Sequence, residues 1–161
     1  MTRQIKLYIL LAILGLVVAS PASAGDWFFG AKTGPMIVND SSVKTNPTNI
    51  GVVVGYELGV VLGDLALEGE MTTTNSKGKT DLGTKFDANT KALYLAFRSA
   101  GPVYLKAKAG FLQVDNDGNT DSGSSYGIGL GFSVGIAQLE LEAAKSAVDP
   151  DVTFVSLGVQ F

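Results

Sequence analysis

The final stretch of the chain, Asp151 to Phe161, constrains the fold more than any other. Val155, Leu157, Val159 and Phe161 share one parity, while Phe154, Ser156, Gly158 and Gln160 share the other. Such period-2 alternation puts the two faces of an extended strand in two environments. Here one face is wholly apolar and runs to an aromatic last residue. In water an exposed face of this kind invites aggregation; against lipid it does not. The stretch therefore predicts the closing strand of a membrane β-barrel.

The same alternation recurs along the chain. Asp26 to Val38 sets Trp27, Phe29 and Ala31 against Gly30, Lys32 and Gly34. Ile50 to Leu58 sets Ile50, Val52, Val54, Tyr56 and Leu58 against Gly51, Val53, Gly55 and Glu57. Asp64 to Met71, Lys91 to Arg98, Val103 to Gln113, Tyr126 to Val134 and Ala137 to Ala144 follow the same rule. Pro35 cannot donate to a ladder, so the first strand is expected to bulge or end near it. The polar stretches 39–49, 72–90, 114–124 and 145–150 read as loops, with 72–90 a mobile surface loop. Between them lie short turns at Val61-Leu62-Gly63, Ser99 to Pro102 and Gly135-Ile136.

Eight strands joined by alternately long and short connections predict an all-β fold. The expected form is an eight-stranded antiparallel up-and-down transmembrane β-barrel, with short periplasmic turns and longer extracellular loops. No helix-period segment interrupts the series, which excludes an α/β arrangement.

Charge parity sharpens this reading. Lys32, Glu57, Glu68, Glu70, Arg98, Lys106, Lys108, Glu140 and Glu142 all lie opposite the apolar faces. In a barrel they fill the lumen, where five carboxylates against four cations are expected to pair. Slipping the register by one residue would drive them into hydrocarbon, at about 2–4 kcal/mol for each Lys near the midplane. Inward glycines give the long side chains room in a barrel only wide enough for side chains to fill. Outward aromatics near the expected periplasmic boundary, Trp27, Tyr56, Phe97 and Phe161, suit a membrane interface.

The first residues carry Arg3 and Lys6, an apolar run from Leu7 to Ala19, and Ala22-Ser23-Ala24. A basic start, a short apolar core and a small-x-small site predict a cleaved secretory signal peptide over 1–24, leaving the barrel over 25–161. The apolar run is shorter than the roughly 18–20 residues that a spanning helix needs. Removing the segment takes the formal net charge from −3 to −5. With no basic cluster, that balance excludes nucleic acid as a partner. The chain has no cysteine, so neither a disulfide framework nor an acylated lipoprotein anchor is expected.

The chain resembles the small bacterial outer-membrane β-barrel proteins, the porin-family group of the OmpA transmembrane domain and OmpX-like barrels. The resemblance is carried by Ala22-Ser23-Ala24, Asp26 to Gly30, Tyr104 to Gly110 and Ser156 to Phe161. It implies an outer-membrane location in a Gram-negative cell envelope. It also implies that the terminal strand, through Val155, Leu157, Val159 and Phe161, is an assembly signal for the barrel insertion machinery. The periplasmic peptidoglycan-binding domain of longer relatives is expected to be absent.

Candidate chemistry is sparse. Glu68 with Glu70, and Glu140 with Glu142, are carboxylate pairs, but residues two apart on a strand share a face by geometry alone. The stretch from Gln113 to Gly118 partly follows a calcium loop. Gln113 and Ser124 stand where acids are required, so a plain turn is favoured. With no histidine, no Ser-His or Asp-His arrangement can form. No enzyme, cofactor or metal site is expected. The favoured function is a structural or surface-interaction barrel acting through its extracellular loops, with 72–90 as the contact surface. The alternative is a narrow porin-like channel for ions or small solutes. Expected partners are outer-membrane lipid, lipopolysaccharide, the insertion machinery and surface or envelope proteins met through the loops, with the barrel itself a monomer.

Overall fold

A computed structural model describes residues 25–116 and 119–161; the expected signal segment lies outside them. In chain order the strands are β1 (Asp26–Val38), β2 (Val43–Thr45), β3 (Thr48–Val60), β4 (Gly63–Ser76), β5 (Gly78–Thr80) and β6 (Lys85–Phe86). They continue as β7 (Asn89–Ser99), β8 (Val103–Asn116), β9 (Asn119–Val134), β10 (Ala137–Ser146) and β11 (Val152–Gln160). Eight of them close an antiparallel barrel in the order β1-β11-β10-β9-β8-β7-β4-β3. The last strand meets the first in a register running from Gly30 opposite Gln160 to Val38 opposite Val152. Phe29 and Phe161 exchange both backbone hydrogen bonds, at 3.1 and 2.9 Å, and so clasp the closing seam at the chain end.

Apart from Thr33 on β1 and Ser99 at the end of β7, outward residues are apolar from the short-turn end upward. Thr48, Thr73, Lys91, Gln113, Ser124, Lys145 and Thr153 are the first polar outward residues on β3, β4, β7, β8, β9, β10 and β11. They form a ring, and below it the exposed Leu, Val, Ile and Phe side chains make a continuous apolar belt. An outward apolar band of this kind is the surface that a bilayer solvates.

Above the ring the structure departs from the sequence reading. The stretch 72–90 is not an irregular loop: Thr72 to Ser76 extend β4, Asn89 and Thr90 begin β7, and β5 pairs with β2 on one side and β6 on the other in a second, three-stranded sheet. The stretch 114–124 continues the β8–β9 hairpin, with Asp115 opposite Thr120 and Asn116 opposite Asn119. Asp117 and Gly118 of the weighed calcium loop lie outside the described residues. The reason is physical: above the membrane both strand faces are wet, so the backbone ladder continues while the hydrophobic alternation that reports it disappears. Pro35 neither ends nor bulges β1. It faces outward, and the register to β11 is the same on both sides of it. The ladder pairs are missing only at Gly34 and Pro35, where β1 and β11 run too close for a side chain at Gly34.

Candidate functional site

Alternation sends every second side chain of eight strands into one narrow lumen, where they stack in layers. Phe28, Val53, Ala66 and Ala96 pack as one apolar cluster in the short-turn half of the lumen. Arg98 lies over the Phe28 ring, 4.4 Å from its centroid. Its guanidinium reaches three carboxylates, donating to Glu57 at 2.7 Å, Glu68 at 2.7 Å and Glu140 at 3.1 Å. A fourth bond runs to Gln160 Oε1 at 2.7 Å. A planar cation with five donors can serve four acceptors at once, which an ammonium cannot do.

The next layer is built on lysines. Lys106 lies 2.9 Å from Glu68, 3.0 Å from Glu140 and 3.2 Å from Glu142. Above it Lys32 and Lys108 both hold the same pair of oxygens, Oε1 of Glu70 and Oε1 of Glu142, at 2.5–3.0 Å. All nine charged residues thus form one network that spans β1, β3, β4, β7, β8 and β10. The burial of charge is deep, with Glu68 wholly inaccessible. Desolvation on this scale is tolerable only where each charge has several close partners.

Polar neighbours complete the network. Tyr104 donates to Glu140 at 2.9 Å, and Gln160 Nε2 donates to the same carboxylate at 2.6 Å. Lys108 sits 4.0 Å from the Tyr94 ring centroid, and the Tyr94 hydroxyl bonds Ser125 at 3.0 Å. These neutral partners were not singled out from the sequence, although inward parity marks each of them. Gly131 takes part as well: a Cβ there would overlap the Tyr104 ring. Inward glycine therefore makes room for aromatic rings as well as for charged chains.

Carboxylate oxygens of Glu68, Glu70 and Glu142 lie within 4.8 Å of one another, a spacing that could hold a metal. Lys32, Lys106 and Lys108 already reach into that cluster, so the place of a metal cation is taken by ammonium groups. The same pairing leaves no carboxylate of the two acidic pairs unengaged for proton transfer.

Toward the long-loop end the lumen turns apolar. Met36, Ala88, Leu112, Val114, Val148, Val152 and Phe154 pack as one cluster across it. On the β3–β4–β7 wall, Asn49 donates to Thr72 at 2.9 Å and to the Ala88 carbonyl at 2.6 Å. Thr72 bonds Thr90 at 2.8 Å. A charged layer and a largely apolar layer are thus stacked within one barrel.

Outside the lumen, Trp27 packs on Tyr56 with ring centroids 5.3 Å apart, and Phe29 lies 6.1 Å from Phe161. Trp27, Phe97 and Phe161 are exposed at the short-turn end, where Tyr56 is partly covered. Val155, Leu157 and Val159 lie on the outer face of β11.

The rim of long loops carries Asp40, Asp81 and Asp87 among the lysines of the β2–β5–β6 sheet, and on the β8–β9 side it carries aspartates without an exposed lysine cluster among the described residues. The β2–β5–β6 sheet is seated by Phe86, buried against Gly78, and by the Asp81 N–H bond to the Ser42 carbonyl at 2.8 Å. Its far face carries Lys79 directly opposite Lys85, with Thr45 opposite Lys79 and Lys44 exposed beside it. Like charges directly opposed across strands repel. Asp87 is engaged by Lys77 at 2.6 Å, and no carboxylate pairs with Lys44, Lys79 or Lys85 among the described residues. Leu82 projects at the tip, 95% exposed. The opposite part of the rim carries Asp115, Asp121, Asp149 and Asp151, with Lys145 held by Asp151 at 3.1 Å.

No protein-family model and no curated protein matches the sequence. Solved structures do match the fold. Neisserial surface protein A, NspA, superposes with a TM-score of 0.61 at 13% identity, covering 86% of this chain and 98% of that one. Ail, the attachment invasion locus protein of Yersinia pestis, solved in complex with the heparin analogue sucrose octasulfate, gives 0.58 at 16% identity, over 85% and 97%. The outer membrane protein OprG from Pseudomonas aeruginosa gives 0.54 at 12%, over 86% and 96%. At these identities the likeness is one of fold, and it spans nearly the whole length of each neighbour.

Proposed function

The fold is that of the small eight-stranded outer-membrane β-barrels, and we propose that this chain is an integral outer-membrane protein that works through its extracellular rim as a surface-contact protein. The carrying observation is the division between a filled interior and a built exterior. Ion pairs pack the periplasmic half of the lumen and an apolar cluster packs the outer half. The loops, meanwhile, form an ordered sheet on which Lys79 stands opposite Lys85, neither of them in an ion pair among the described residues. Function on loops held by a rigid scaffold is the common arrangement. The contact surface is not 72–90 alone: it is the sheet that joins β2 to β5 and β6 around Lys44, Lys79 and Lys85, and its charge favours an anionic partner. The polysulfated ligand bound by Ail lends support to that choice.

In this reading the outward belt meets lipid, Lys91 stands at lipopolysaccharide headgroup level, and the Trp27–Tyr56 and Phe29–Phe161 pairs anchor the periplasmic interface. The alternating outer face of β11 is what the insertion machinery would read. The porin-like alternative is disfavoured because conduction would require displacing both layers of the lumen.

The test is retention of barrel-bearing vesicles on an immobilised sulfated polysaccharide. The parent chain should be retained and released by salt. The variant K44Q/K79Q/K85Q should pass through while keeping its heat-dependent gel shift. Equal retention of parent and variant would remove the basic sheet as contact surface. Stable conductance steps in a planar bilayer, altered by Lys106→Gln, would favour the channel instead.

A further inference from the structure

Between the buried face of β6 and the acidic side of the rim, a cavity of about 250 Å³ opens into the outer mouth of the barrel. Its walls are Phe86, Val114, Val148 and Val152, all buried, and its rim carries Asp121 and Asp149. It is blind, because Met36, Leu112 and Phe154 pack in the same apolar cluster as its valines. At about 30 Å³ per water the space holds roughly eight waters, or one small organic molecule of similar volume.

The cavity is held open by backbone bonds. The Asp149 N–H donates to Asp121 Oδ2 at 2.8 Å, and the Ser122 N–H donates to Oδ1 at 2.8 Å. Ala147 N–H bonds the Ser124 carbonyl at 2.9 Å, and Asn39 N–H bonds the Asp151 carbonyl at 2.8 Å. A site whose walls are fixed before binding loses little ordering entropy when it is filled. Among the described residues no lysine or arginine lines it, and the nearby Lys145 is engaged by Asp151.

We propose that this cavity is a binding site for a small amphiphile with an apolar body and a cationic head, of the arylalkyl- or alkylammonium class. The body lies against the three valines and Phe86, and the ammonium sits between the Asp121 and Asp149 carboxylates. Apolar walls with a few placed polar groups are the usual make-up of a small-molecule site. The charge on the rim selects the head group. The site shares Phe86 with the β2–β5–β6 sheet, but none of Lys44, Lys79 and Lys85 lines it, so neutralising those lysines tests the surface-contact reading without altering this one.

The experiment uses the refolded barrel in lipid nanodiscs with labelled valine methyls, titrated in parallel with 2-phenylethylammonium, 2-phenylethanol and phenylacetate. These probes share one body and differ in head-group charge. The ammonium should shift the Val114, Val148 and Val152 methyls saturably, and the alcohol should bind at least about fivefold more weakly. Phenylacetate should give no saturable shift. Val148→Phe should fill the cavity and abolish binding, while Asp149→Asn should bring the ammonium down to the affinity of the alcohol. Equal binding of phenylacetate and the ammonium would overturn the proposal. So would saturable binding that survives Val148→Phe, or shifts that only track partition into lipid.

Discussion

Replacing Arg98 with methionine isolates what the ion network contributes. Methionine keeps much of the volume over Phe28 but removes a cation bonded to Glu57, Glu68 and Glu140. Breaking a buried pair from one side costs about 3–5 kcal/mol, because the surviving charge remains desolvated. Here Glu68 and Glu140 keep Lys106 at 2.9 and 3.0 Å, and Glu57 is partly exposed and can rehydrate. The lower end of the range, about 3 kcal/mol, is therefore expected. With a urea m-value of about 2 kcal/mol/M, that loss moves the unfolding midpoint down by about 1.5 M. The assay is urea unfolding of the refolded barrel in vesicles. Adding Glu68→Gln removes one carboxylate along with the cation and restores the imbalance of a single negative charge. The double variant E68Q/R98M should therefore recover part of the loss, giving a coupling energy of about 1–2 kcal/mol. A midpoint for Arg98→Met within 0.5 M of the parent, or strict additivity of the two changes, would refute the view that the lumen is held by mutual charge compensation.

Two further outcomes follow from the same geometry. Leu141 lies on the outer belt near mid-height, so Leu141→Lys should cost about 2–4 kcal/mol by the same unfolding assay, against no more than about 0.5 kcal/mol for Leu141→Val; parity of the two would remove the lipid-facing assignment of that face. In the outer loops, N–H donation from Asp149 and Ser122 holds the Asp121 carboxyl below the ordinary aspartate value of 3.8. Its tie between β9 and the last loop should stay intact above that value and be lost as pH falls through the lower folded pKa. The Asp149 amide resonance should report this, and titration at or above 3.8 would count against the bond.

The sequence was most informative where the two faces of a strand meet different surroundings. Between Trp27 and Phe161 the lipid-facing parity is apolar and the lumen parity carries Lys, Arg, Glu and Gly, so strand number, order and facing could be read from alternation. Legibility ended at the ring of Thr73, Lys91, Gln113 and Ser124. Beyond it polar residues occupy both parities, Thr73 outward and Thr74 inward, so no pattern marked β5, β6 or the extended β8–β9 hairpin.

The individual contacts of the lumen were hidden for a different reason. Parity places Arg98, Lys106 and five carboxylates in one space but leaves the pairings open, since an eight-stranded lumen brings β1, β4, β8 and β10 within reach of one another. Those pairings depend on the stagger of the strands around the barrel. That stagger sets Gly55 opposite Glu68 and Arg98 opposite Lys106 as neighbours along the wall. Two cations, Arg98 and Lys106, thus sit side by side on adjacent strands. They can do so only because Glu68 from one wall and Glu140 from another reach both of them. The two glutamates hold the cations together, so neutralising both should do more damage than losing two separate pairs would. That is the behaviour of a single cooperative plug.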